Sequence, residues 1–129
     1  VNVSPLQLNR EDFAEHVLAS LRELGVDPRR LEIEVTESSL MADPGRASHS
    51  LARLRDAGIS IAIDDFGTGH SSLRMLTGLP IDVLKIDRSF VQDLTSNRSN
   101  RLIVQTTIGL ALSLGLKTVA EGVETLEQL

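Results

Sequence analysis

The chain contains no cysteine, tryptophan or tyrosine, and its aromatics are three phenylalanines. Without cysteine no disulfide framework can form, so a reducing, cytoplasmic setting is the default expectation. Long apolar runs are missing too. The longest, IGLALSLGL, is short and broken by Gly109, Ser113 and Gly115, so no transmembrane span and no direct membrane contact is expected of this segment. No signal peptide is evident; any membrane anchor would belong to another segment of a parent protein. Positive charge is scarce, with 13 Lys and Arg against 18 Asp and Glu and a net charge of −5. A nucleic-acid groove needs a basic track and stacking rings, and neither is available. A polyanionic ligand would need a cation as go-between.

What is present suffices for one small domain: 129 residues, 41% of them hydrophobic. Short β-rich runs alternate with helical patterns. VNVS is followed by a helix from about Arg10 to Leu24, with Asn9 as its expected N-cap and Gly25 as its stop. LEIEVTE (31–37) reads as a strand, and Asp43 with Pro44 opens a helix that Gly58 ends. ISIAID (59–64), DVLKID (82–87) and KTVAE (117–121) read as further strands. Helices are expected near Ser71–Leu79 and over about Asn100–Leu114, with another opening at TLEQL. Such alternation implies parallel β/α architecture.

The side chains of each strand then sort by a period of two. Ile33 and Val35, Ile59 to Ile63, and Leu84 with Ile86 form aliphatic faces. Opposite them lie Asn2, Glu34, Asp64, Lys85 and Asp87. A doubly wound sheet should be apolar on both faces. One small or polar face fits a closed barrel with its site at the C-terminal mouth of the strands. That mouth would gather Asn2, Glu34, Asp64, Asp65, Lys85, Asp87 and Glu121, with one cation among several carboxylates. Crowded carboxylates raise one another's pKa or demand a counter-charge. Hard divalent cations bound through oxygen, Mg²⁺ or Mn²⁺, are the natural choice. Adjacent aspartates suit a pair of ions about 4 Å apart, which clamps a phosphoryl group.

VNVSP, LEIEVTES, IAIDDFGTGHSSL, LKIDRSF and TVAEGVET resemble, in order and spacing, the motifs of the EAL domain family of cyclic di-GMP phosphodiesterases. The resemblance covers essentially the whole chain. It implies a TIM-type (β/α) barrel with a reversed first strand, of which this chain covers about five consecutive βα units. It also implies metal-dependent hydrolysis of cyclic di-GMP to linear 5′-pGpG. On the family pattern Asn2, Glu34 and Asp64 hold one metal ion, and Asp64 with Asp65 holds a second. Lys85 and Glu121 position and activate the attacking water. Glu37 supports the loop after the double aspartate, a loop tied to homodimer formation, and Asp87 is structural support. The named Glu-Ala-Leu strand and the last strand are absent, and His70 stands where a tyrosine is usual. The chain opens in mid-strand and stops as a helix begins, so residues 1–129 read as a partial domain cut at both ends and inactive alone. Sensor or cyclase-like domains are expected in the parent chain.

Blander readings exist for each residue. The aspartate pair could cap a turn, and Glu34 could sit on an edge strand. Lys85 could form a structural ion pair with Asp64 or Asp87. Glu121 could favour a helix start, and Asn2 is an ordinary strand-end residue. His16, His49 and His70 read as non-catalytic. Three functions fit these residues: a hydrolase, a catalytically silent cyclic di-GMP receptor or scaffold, and an unrelated Mg²⁺-dependent barrel with a lysine base. The last leaves the DDFGTG loop unexplained, and the intact double aspartate and lysine favour the hydrolase over the receptor.

Overall fold

The computed structural model describes residues 1–67 and 76–129. Five strands, β1 (Asn2–Val3), β2 (Glu32–Thr36), β3 (Ser60–Phe66), β4 (Val83–Ile86) and β5 (Lys117–Ala120), form one parallel sheet in strictly sequential order. A doubly wound sheet reverses its order at a switch point; an unbroken run curls towards closure instead, as a β/α barrel does. The order therefore agrees with the barrel reading, and β1 and β5 are the open edges of this piece of it.

Six α-helices are described. They are α1 (Pro5–Leu8), α2 (Phe13–Leu24), α3 (Glu37–Ala42), α4 (Pro44–Asp56), α5 (Arg88–Gln92) and α6 (Arg98–Leu114). Several boundaries differ from the sequence expectation, for local reasons. Ser4 and Gln7 close a reciprocal capping box around α1, so the chain turns helical straight after β1. Asn9 ends α1 instead of starting α2. The residue before α2, Asp12, makes no side-chain cap because Arg10 binds both its oxygens, at 3.0 and 2.9 Å. Thr36 and Asp87 each cap a short helix, α3 and α5, that hydrophobic periodicity did not reveal. Asn97 caps α6, whose start is Arg98. TLEQL forms a 3-10 turn, Leu126–Gln128. Asp43 and Pro44 open α4 as expected. The helix expected near Ser71–Leu79 lies largely outside the described residues, as does His70.

The core lies between the sheet's outer face and the helices. Ile33, Val35, Ile61, Ile63 and Leu84 pack with Leu40, Leu51 and Leu54 in one cluster, and Leu51, Leu54 and Ile61 are fully buried. Each such side chain contributes roughly 1.5–3 kcal/mol by burial. The other face carries the polar set. Register places Asn2 beside Glu34, Glu34 beside Ala62, and Thr36 beside Asp64, so these side chains share a face at successive levels towards the strands' C-terminal ends.

Candidate metal and phosphoryl-transfer site

The double aspartate sits on an irregularity. Ile63 pairs with Leu84 and Phe66 with Ile86, so β3 spends three steps where β4 spends two. The extra residue is a β-bulge, and Asp65 takes a left-handed φ of 54°, the one described non-glycine with positive φ. Asn and Asp tolerate that region better than other residues. Strict alternation would have put Asp64 and Asp65 on opposite faces; the bulge releases Asp65 from it. Phe66 returns to the buried outer face. A sequence signal for this existed, because the large apolar positions run 59, 61, 63 and then 66 rather than 65.

Lys85 is the centre of the cluster. Its Nζ lies 2.6 Å from Glu121 Oε1, 2.9 Å from Glu34 Oε2 and 3.5 Å from Asp64 Oδ1. These contacts join β2, β3, β4 and the residue after β5, and the lysine is only 9% exposed. Burial alone would lower the ammonium's pKa; the hydrogen bonds to Glu121 and Glu34 outweigh it, and the net shift is upward. Lys85 is thus held charged. Its ion-pair partners are Glu34, Asp64 and Glu121, while Asp87 pairs elsewhere. Glu121 comes directly after the last strand residue, and its N–H donates to Ile86 O at 3.1 Å, which carries the ladder one step further.

Asp65 and Asp87 form the second group. Burial, then the Asp64 charge, then a hydrogen bond shared with Asp87 push the Asp65 carboxyl above its ordinary range. Asp87 is pulled down, first by hydrogen bonds from the Ser89 side chain and backbone. Of the two carboxyls, Asp65 is therefore the harder to ionise. Asn2 is exposed and lies level with Glu34 on β1. Glu37, the first residue of α3, is buried, and its Oε2 has no hydrogen-bond partner among the described residues. Most of the loop it was expected to support lies outside the described residues.

Among the described residues, no three acidic or histidine side chains are gathered as a ready-made metal cage. The carboxylates converge on the Lys85 ammonium. The donor set is nevertheless all hard oxygen, and Glu34 and Asp64 already share one cation, so the residues fit a divalent ion by chemistry. A cavity of about 630 Å³ lies at the other end of the strands, between Arg55, Ser60, Asp82 and Lys117. That end of a β/α barrel serves stability, so the strand C-termini carry the candidate site.

A parallel, sequentially ordered sheet with acids, one lysine and a bulged aspartate pair at its C-terminal rim defines a polar site of the β/α-barrel class. The family model of the EAL domain matches residues 1–129, and the chain belongs to that family. It is 45% identical over 129 residues to a Pseudomonas aeruginosa protein named cyclic di-GMP phosphodiesterase NbdA, covering all of this chain and 16% of that one. Its structure matches that of the PaMucR phosphodiesterase in complex with c-di-GMP, with TM-score 0.93, 42% identity, and coverage of 99% of this chain and 52% of the other. It also matches Klebsiella pneumoniae BlrP1 in its calcium complex with cyclic di-GMP, with TM-score 0.86, 37% identity, and coverage of 98% and 32%. The manganese complex of BlrP1 matches with the same identity and TM-score. The chain therefore supplies five consecutive parallel strands of a TIM-type barrel, and it spans about a sixth of the curated relative's length and about half or less of these solved chains. Among the described residues no helix is long and apolar enough to cross a membrane.

Proposed function

We propose that residues 1–129 are the middle of an EAL domain that hydrolyses cyclic di-GMP to linear 5′-pGpG with divalent metal ions, Mg²⁺ or Mn²⁺. The observation that carries this reading is the convergence of Glu34, Asp64 and Glu121 on Lys85 at the C-terminal rim. The names of matched proteins support the substrate, and the calcium and manganese complexes of a neighbour support divalent ions. Asn2, Glu34 and Asp64 would hold one ion, and Asp64 with Asp65 a second. Bound there, the metal supplies Lewis-acid charge for the phosphoryl oxygens and lowers the pKa of a water.

The chain's own residues then have separate tasks. Glu121 Oε1, oriented by Lys85, accepts a hydrogen bond from the attacking water and takes its proton. The water oxygen bonds to phosphorus, the bond to one ribose 3′-oxygen breaks, and that oxygen takes a proton from solvent while Glu121 returns its own, so that one water is consumed in all. The product keeps a 5′-phosphate and gains a 3′-hydroxyl. Lys85 stays charged throughout and steadies the negative charge that grows on the phosphoryl oxygens, a contribution felt mainly in the transition state. Asp87, anchored by Ser89, holds Asp65 in its bulged position. The loop supported by Glu37 would mediate a homodimer, and sensor or cyclase-like domains would supply regulation.

The test is turnover of cyclic di-GMP by the complete domain in Mn²⁺, compared with Lys85→Met. Loss of at least about a hundredfold in kcat, with the Ca²⁺-supported Kd moved less than about tenfold, supports hydrolysis. Binding without any turnover by the unaltered protein would make it a receptor.

A further inference from the structure

Glu121 has no strand to hold it on its C-terminal side, since β5 ends at Ala120. The next residue is Gly122, with a φ of 71°. A Cβ built there would lie 2.8 Å from Arg88 Cγ and 3.2 Å from both Cβ and Cδ of the same residue. The aliphatic stem of Arg88 therefore lies flush against the Gly122 backbone. Arg88 is the first residue of α5, and its guanidinium is tied down one turn along. With its amide carbonyl facing Arg88, Gln92 accepts from Nε and Nη2 at 2.8 and 2.9 Å. The stem cannot swing aside without breaking both bonds. Among the described ion pairs the Arg88 guanidinium has no carboxylate partner, and its backbone N–H bonds the capping Asp87.

A second tie fixes the same segment to the same helix. Gln128 Nε2 donates to Val91 O and Gln92 O, and its Oε1 accepts from the Glu124 and Thr125 N–H groups. Residues 121–128 are thus clamped onto α5, whose cap, Asp87, bonds Asp65. One short helix connects the two acidic groups of the site.

We propose that Arg88 is a positioning residue: its stem, pressed on Gly122, sets the height of Glu121 against Lys85. The contact needs glycine at 122 for two separable reasons, the left-handed φ and the space that the arginine stem fills. The second makes the contact testable as a pair. This inference rests on the proposed role of Glu121, and its test separates the two.

In the complete domain, Gly122→Ala should lower kcat for cyclic di-GMP about tenfold or more, with KM within about threefold, as expected for a displaced catalytic group. Adding Arg88→Ala should restore at least about threefold of that loss, because the stem that the new methyl strikes is gone. A readout free of turnover is the Lys85 ammonium signal in ¹⁵N-lysine-labelled, metal-free protein, assigned by its loss in Lys85→Met. It should move in Gly122→Ala towards its position in Glu121→Gln and move back in the double variant. If cyclic di-GMP is not hydrolysed at all but the signal behaves this way, the clamp stands and the hydrolase reading falls. A double variant no faster than Gly122→Ala, or a Lys85 signal unmoved by Gly122→Ala, overturns the clamp.

Discussion

Lys85 Nζ donates to Glu34 Oε2 at 2.9 Å across 51 residues of sequence, from β4 to β2, with the strand that carries Asp64 lying between them. The bond spans the site because β3 offers the small, fully buried Ala62 at the level of Glu34. Two strands of one sheet thereby place a carboxylate and an ammonium over the third.

Removing that ammonium should cost stability as well as turnover. Lys85→Met leaves Glu34, Asp64 and Glu121 without their common cation, and we expect a loss of about 1–3 kcal/mol at neutral pH in metal-free protein. The sign with pH follows from the raised Lys85 pKa. Its contribution is complete below the ordinary lysine value and fades only as pH rises through the folded one. The deficit of the variant should therefore stay constant through neutral pH and shrink only as pH rises through the lysine range. Denaturant titrations in EDTA at several pH values check this.

Much of the site is legible in the sequence, and the part that is not has identifiable causes. Period-two alternation places Glu34, Asp64 and Lys85 on one face, because both-sided burial of a strand leaves few other arrangements. Alternation cannot place Asp65, whose bulge breaks the rule it relies on. Helices α3 and α5 escape because six and five residues are too few to show a hydrophobic period; their caps, Thr36 and Asp87, are the available signals. Arg88 carries no motif chemistry of its own, so only its contact with Gly122 reveals it. Metal ligation by Asn2 comes from family resemblance alone, and the structure adds its register beside Glu34.

Asp65→Asn should make the metal-free protein more stable and less active. The raised Asp65 pKa means that ionising it costs folding stability as pH rises through the folded value. Asn removes that charge and suits a φ of 54° at least as well. We expect a melting midpoint a few degrees higher in EDTA at pH 7, corresponding to about 1 kcal/mol. The gain should diminish on acidification, as Asp65 in the unaltered protein takes up a proton.

Asp82 offers a control at the opposite end of the sheet. Its Oδ2 accepts from Ile61 N at 3.0 Å and its Oδ1 from Arg55 Nε at 2.9 Å, tying the start of β4 to β3 and α4. Asp82→Ala should lose about 1–3 kcal/mol in a denaturant titration. Turnover per folded molecule should be unchanged, since none of these atoms approaches the rim.

Asp64 is where the metal reading is most exposed. As the carboxylate assigned to both ions, Asp64→Asn should lower turnover by at least about a thousandfold and weaken Mn²⁺ binding measured directly. Asp65→Asn should weaken one Mn²⁺ site and spare the other.

The most direct test is identification of the product when the complete domain meets cyclic di-GMP and Mn²⁺. Chromatography and mass spectrometry should show linear 5′-pGpG, one water heavier than the substrate. It should be absent with EDTA and absent with Asp64→Asn. Cyclic di-GMP recovered intact from a protein that binds both it and Mn²⁺ would contradict the account.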